Sequence, residues 1–249
     1  AAAADGQAAL DALALDVAQE FPTFRQDLDR LLAHPPGPVV VAHPRTGERQ
    51  RLHVDRDALA SLVRGALYLP ELASLLPLAV RRALQGDLVP FVGLAGALSV
   101  GMSDSVSVGL MLAVLCAEDV PRIGPGDVAR SVRGTIFGPA LVTPMIDACA
   151  VISAPPAPPE RDAAVRSDVP TLILSGAADP ATPPRWGQRV ASGLSRVRHV
   201  QVAGMGHGLT RRGCLPDVVT EFVEAASVEG LDAACVARLG RPAPFVGVT

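Results

Sequence analysis

Residues 168–208 limit the fold of this chain more tightly than any other stretch. Pro170-Thr171-Leu172-Ile173-Leu174 is a short apolar run bounded by proline on one side and by Ser175-Gly176 on the other. An apolar run without polar alternation predicts a strand buried on both faces, as in a parallel sheet. The loop Ala177-Ala178-Asp179-Pro180 follows. Thr182 is placed to cap a helix whose first residue is Pro183 and which extends to about Leu194. Val197 to Val202 predicts a second strand, Gly204-Met205-Gly206-His207-Gly208 a glycine-rich loop, and Leu215 to Ala226 an amphipathic helix. Strand, helix, strand, helix is the order of a parallel sheet covered by helices.

That order suggests chemistry. In open parallel sheets, functional side chains gather just past the C-terminal ends of the strands. Asp179 lies a few residues past the first predicted strand, and His207 a few past the second. Their separation of 28 positions is what one helical crossover requires. If the strands are neighbours, both side chains hang over the same edge. A carboxylate there can accept the imidazole N–H, fix its tautomer and stabilise the imidazolium formed during proton transfer. Taken singly, each residue has a plainer reading: an Asp before Pro forms turns, and Gly-His-Gly makes a tight loop. Their joint placement at two strand ends, in this order, favours catalysis.

The first half reads differently. Residues 5–32 carry a mixed helical period through Leu10, Leu13, Leu15, Val17 and Phe21, continued after Pro22 by Phe24, Leu28, Leu31 and Leu32. Pro35-Pro36-Gly37-Pro38 ends it. Pro38 to Val41, a turn over Pro44 to Gly47, and Gln50 to Val54 form a predicted hairpin. Asp55 is a good N-cap for the helix that follows. Further helices start near Pro70 and near Pro77, the latter ending at Gly86. Short helices separated by prolines suggest a mobile cap rather than a sheet. From Ser105 to Cys116 the chain is apolar and undecided between helix and strand. Residues 154–160 are a proline-rich surface connection.

Composition removes several functions. Twenty-two basic residues offset 25 acidic ones, for a net charge of -3, and no basic stripe points to nucleic acid. The longest nearly uncharged apolar run, Leu88 to Met102, is shorter than the roughly 18–20 residues of a membrane span and contains Pro90 and three glycines, so a buried lid segment or helix is expected. Lys and Asn are absent while Ala and Arg abound, which reads as a GC-rich bacterial source. The N-terminal AAAADGQAAL has no basic region of a signal peptide and does not resemble a natural start, so the true N-terminus is expected to lie upstream. Four dispersed cysteines, Cys116, Cys149, Cys214 and Cys235, form no CxxC pair and sit at no zinc-finger spacing. No structural metal is expected. Two disulfides and four buried thiols remain equally open on this count.

At this point a resemblance appears. SGAADPATPPRWGQRVASGL followed by RHVQVAGMGHG resembles the C-terminal part of α/β-hydrolases, with Gly-x-x-Asp-x-x-Thr/Pro after the penultimate strand and Gly-His-Gly after the last. VLCAEDVPR, ALYLPELASLLPLAVRRALQGD and CLPDVVTEFVEAASVEGLDAACVA resemble the cysteine-acid segment, the lid helices and the ending of the secreted actinobacterial tripeptidyl-aminopeptidase-like hydrolases, relatives of the prolyl aminopeptidases. The likeness implies a partial α/β-hydrolase fold: residues 1–115 as lid with a preceding helix and small hairpin, and 116–249 as the C-terminal part of the core. It implies Asp179 as triad acid, His207 as general base, no cofactor, and disulfides Cys116–Cys149 and Cys214–Cys235, which place the protein outside the cytoplasm. Aminopeptidases of this kind hold the substrate's α-ammonium group with lid-side acids. Glu118 is the candidate for that role, beside the plainer reading as a salt bridge.

The departure from the family is the nucleophile. Its Gly-x-Ser-x-Gly elbow should precede the lid, and the 249 residues contain none. Gly101-Met102-Ser103-Asp104-Ser105 comes nearest, but it ends in Ser and follows the lid. The expected partners are therefore a short peptide substrate and a missing N-terminal half that carries the serine. The chain is a fragment, one piece of a split enzyme or a degenerate product, inactive alone. An esterase or lactam hydrolase and a non-catalytic peptide binder are the alternatives. The single tyrosine, Tyr68, disfavours an epoxide hydrolase, which needs a pair in the cap. Trp186 reads as a packing anchor, Arg211-Arg212 as solvated, and His34, His43, His53 and His199 show no partner spacing.

Overall fold

In the computed structural model, residues 2–42, 46–103, 106–152, 154–155 and 157–247 are described, apart from the side chains of 99–103, 159 and 162. The predicted N-terminal helix is two: α1 (Ala2–Asp16) and α2 (Phe24–Ala33). Pro22, which lacks an N–H and opposes helical continuation, lies in the link, where Val17 and Phe21 are buried. Strands β1 (Gly37–Ala42) and β2 (Arg49–Val54) pair antiparallel, Gly37 opposite Val54 and Ala42 opposite Arg49. Residues 43–45 of the expected turn, His43 included, lie outside the described residues. Asp55 caps α3 (Arg56–Leu67) as expected, its Oδ1 accepting from the Ala58 N–H at 2.8 Å.

The two helices expected near Pro70 and Pro77 are one, α4 (Pro70–Leu84), with Pro77 inside it. Pro77 leaves the Ala73 carbonyl without its helical donor, a cost of about 3 kcal/mol. The same face buries Ala73, Leu76, Ala79 and Val80, and burial of one large aliphatic side chain contributes about 1.5–3 kcal/mol. Packing therefore outweighs the proline. Helix α5 (Val89–Ser103) takes up the long apolar run, and α6 (Val108–Glu118) resolves the undecided segment as helix. The candidate serine segment ends α5; the side chain of Ser103 and all of residues 104–105 lie outside the described residues. Two short helices follow, α7 (Asp127–Val132) and α8 (Thr143–Val151).

The second half supplies the parallel unit: β3 (Thr171–Gly176), α9 (Pro184–Ala191), β4 (Val197–Val202) and α10 (Leu215–Ala225). β3 and β4 are adjacent and parallel, Thr171 opposite Val197 and Gly176 opposite Val202.

Two apolar clusters hold these elements. The larger gathers Leu10, Leu13, Leu28, Leu59, Val63 and Leu76 from α1 to α4. Ile136 and Phe137 complete it from beyond residue 115, and Gly6 leaves room for the Phe137 ring. The smaller gathers Val200, Val202 and Met205 with Leu215 and Val218 of α10. Cys116 is bonded to Cys149, tying α6 to α8, and Cys214 to Cys235, with Cα separations of 5.2 and 6.5 Å. These are the pairings the resemblance implies. No helix among the described residues is long and apolar enough to cross a membrane.

Candidate active site

The two strand ends are stitched together beyond the sheet. The Ala177 N–H donates to the Val202 carbonyl and the Ala178 N–H to the Met205 carbonyl, both at 2.9 Å. A Cβ on Gly176 would run into the carbonyl oxygens of Met205 and Gly206, so only glycine allows the loops to approach this closely. The approach brings Asp179 and His207 together.

Asp179 is 5% exposed, and every lone-pair direction of its carboxylate is used. Oδ1 accepts from the backbone N–H groups of Ala181 and Thr182 at 2.8 and 2.9 Å. Oδ2 accepts from Thr182 Oγ1 at 2.9 Å and from His207 Nδ1 at 2.8 Å. Burial alone pushes the carboxyl upward, and it is the largest single influence. The N–H donors of Thr182 and Ala181 together with the His207 ring outweigh it and hold the group below its ordinary range. The side chain is therefore an ion at neutral pH.

An ionised carboxylate can only accept, so the proton between the pair belongs on Nδ1. The neutral imidazole then carries its lone pair on Nε2. The His207 side chain is 47% exposed, and among the described residues Nε2 has no hydrogen-bond partner. One nitrogen is fixed by a buried anion while the other is free to take a proton.

The helical half reaches this pair at Tyr68, the residue after α3. Its carbonyl accepts from the His207 N–H at 2.9 Å, and its ring meets the imidazole edge to face, centroids 5.3 Å apart at 67°. Arg64 Nη1 donates to the phenol oxygen at 2.8 Å. Further ties run beside it. Arg212, expected to be solvated, pairs with Glu71 of α4, because α4 passes the histidine loop. Asp5 of α1, 3% exposed, accepts from Arg185 and, at 3.1 Å, from Trp186 Nε1. Trp186 is thus an anchor, through its N–H as well as its ring.

Other sequence candidates lie differently. Glu118 ends α6 and pairs with Arg161. His199 Nε2 lies 2.9 Å from Ser175 Oγ, and burial lowers its pKa. His34 is exposed at the end of α2, its Nδ1 3.3 Å from the Arg30 carbonyl, and His53 lies in the hairpin opposite Pro38. Thr182 does not cap α9, which starts at Pro184 with Pro183 in the cap position. Its hydroxyl donates to Asp179 Oδ2 instead, at 2.9 Å. Thr182 and Tyr68 are the site residues missed by sequence reasoning. A threonine three residues after the acid was the available signal for the first; none existed for the second. Among the described residues, no group of three or more His, Cys, Asp and Glu side chains is arranged to hold a metal ion.

Successive parallel strands thus present a buried, ionised acid and a half-exposed imidazole as one hydrogen-bonded pair. A family model described as TAP-like protein matches residues 134–235, a stretch that contains Asp179, His207 and three of the four cysteines. Over those residues the chain is similar to the TAP-like family of α/β-hydrolases. No curated protein matches the chain.

Proposed function

We propose that this chain is the lid and the C-terminal part of the core of a serine α/β-hydrolase, with residues 1–115 as lid and 116–249 as core, and that its complete form removes short peptides from the N-termini of larger ones. The observation that carries the reading is the 2.8 Å contact between His207 Nδ1 and the buried Asp179 carboxylate, with Nε2 unpartnered among the described residues. In this reading a serine from outside these 249 residues attacks the scissile carbonyl carbon. Nε2 takes its hydroxyl proton as the Ser–O–C bond forms, and Asp179 stabilises the imidazolium. Nε2 then gives that proton to the departing amine, leaving an acyl-enzyme that water hydrolyses by the same relay.

Two physical features support an absent remainder of the sheet. Parallel sheets are stable when covered on both faces and built from several strands. Here β3 and β4 form a sheet of two, and Leu172, Ile173 and Leu174 keep partial exposure. Helix α6 is apolar up to its last residue, Glu118, yet buries only Cys116. A nucleophile-bearing half that adds strands beside β3 would cover such surfaces. Two disulfides fit an extracytoplasmic setting.

The test is hydrolysis by the complete polypeptide of a tripeptidyl p-nitroanilide, its N-acetylated form and a p-nitrophenyl ester. An exopeptidase favours the free amine strongly; equal rates on blocked and free substrates support the esterase alternative. Glu118 is the candidate amine anchor, with Arg161, its half-exposed partner, swinging away on binding. Glu118→Gln then raises KM for free-amine peptides and not for blocked ones. Equal effects on both leave Glu118 as a structural ion pair.

A further inference from the structure

Two facts about the histidine loop sit awkwardly together. His207 must present Nε2 in one direction, yet it lies between Gly206 and Gly208, the latter at φ 77°, and glycines on both sides give the backbone wide freedom. Its ring is half exposed, and Asp179 holds it at one atom only. One hydrogen bond fixes a distance but leaves the imidazole plane free to swing about it.

We infer that Tyr68, clamped by Arg64, is a positioning residue for His207, so that the imidazole faces its substrate only while the helical half is docked. This rests on the proposed acid–base role of the Asp179–His207 pair. The contacts act on the two freedoms separately. The Tyr68 carbonyl takes the His207 N–H and fixes the loop backbone, and a Cβ on Gly206 would collide with the carbonyl oxygens of Tyr68 and Leu67, so loop and helix end lie in direct contact. The Tyr68 ring blocks rotation of the imidazole on one side. Tyr68 is itself held from two sides. Leu67 and Ala66 before it are buried in the larger cluster, and Arg64, one turn earlier, holds the phenol oxygen with its guanidinium 5.1 Å from the ring centre. The base is thereby indexed to α3, an element of the other half of the molecule.

The test needs no turnover. A proton shared between Nδ1 and a carboxylate gives a low-field NMR resonance that survives only while solvent exchange is slow. In the 249-residue chain this signal is expected from His207, and Asp179→Asn removes it. Tyr68→Ala should also lose it, whereas Tyr68→Phe and Arg64→Met, which each break the Arg64–phenol hydrogen bond and keep the ring, should retain it with exchange about tenfold faster. Circular dichroism and amide protection of β4 and α10 establish that each variant is folded. If Tyr68→Ala does not fold, Arg64→Met decides: unchanged exchange overturns the inference. In the complete enzyme, Tyr68→Ala should lower kcat with KM little changed, and Tyr68→Phe should restore most of it. A Tyr68→Ala protein that keeps the resonance ends the positioning role and leaves the pair intact. A resonance that persists in Asp179→Asn ends the acid–base reading itself.

Discussion

Thr182 Oγ1 and His207 Nδ1 converge on the same oxygen of Asp179, at 2.9 and 2.8 Å, while remaining 3.3 Å from each other. The threonine hydroxyl thus fixes the direction of the carboxylate from the side opposite its own backbone N–H. Thr182→Val keeps the shape and the N–H bond but removes the hydroxyl. A hydrogen bond to a charged group contributes about 1.5–3 kcal/mol. Urea unfolding should show a loss in that range, and the His207 ring signals should broaden as the carboxylate gains freedom. An unchanged midpoint would mean that the backbone donors alone hold the acid.

Acid should act on the fold through Asp179. Its carboxyl titrates below its ordinary value when folded, so the unfolded chain binds the proton more readily. The contribution is complete above the unfolded value of about 3.9 and disappears as pH falls through the lower folded value. The stability difference between the parent and Asp179→Asn should therefore be constant near neutrality and shrink below about pH 4. A difference that stays constant down to pH 2 would contradict the shift.

Asp5 is the buried member of an ion pair whose other member is half in water. The two ends should respond unequally. Arg185→Met strands a carboxylate that is 3% exposed, and breaking a buried pair in this way costs about 3–5 kcal/mol. Asp5→Asn releases Arg185 to solvent and can still accept from Trp186 Nε1, so it should cost about 1 kcal/mol. Thermal unfolding of the two variants gives the order; the reverse order would show that the pair is worth little.

The disulfides should differ in what they hold. α6 buries only Cys116 and α8 buries no residue, so the Cys116–Cys149 bond supplies much of their association. Replacing both cysteines by serine should erase amide protection in α6 and α8 while sparing the rest. Cys214 and Cys235 instead flank an apolar cluster that includes Leu215, Val218 and Leu231. Losing that bond, which closes a separation of 21 residues, should cost about 2–4 kcal/mol without local melting.

The parallel unit was legible because its signals are local. Apolar runs mark β3 and β4, and residues just past them fall at one edge whatever the rest of the chain does. The failures were of two physical kinds. Pro22 breaks a helix and Pro77 does not, because only the second sits on a face buried deeply enough to offset the lost hydrogen bond; propensity cannot separate them. Thr182 and Arg212 were misread because each found a partner decided by tertiary placement, Asp179 beside one and Glu71 across the fold from the other. Tyr68 lies far from His207 in sequence, and only the docking of α3 onto the histidine loop makes it part of the site.

The most direct measurement is kcat/KM for a tripeptidyl p-nitroanilide in a polypeptide that joins this chain to the proposed serine-bearing segment, compared between parent, His207→Ala and Asp179→Asn. An acid–base pair predicts losses of about ten-thousandfold in both variants, the second through the wrong imidazole tautomer, with KM little altered. Hydrolysis that survives His207→Ala within tenfold would place the catalytic base elsewhere and contradict the account.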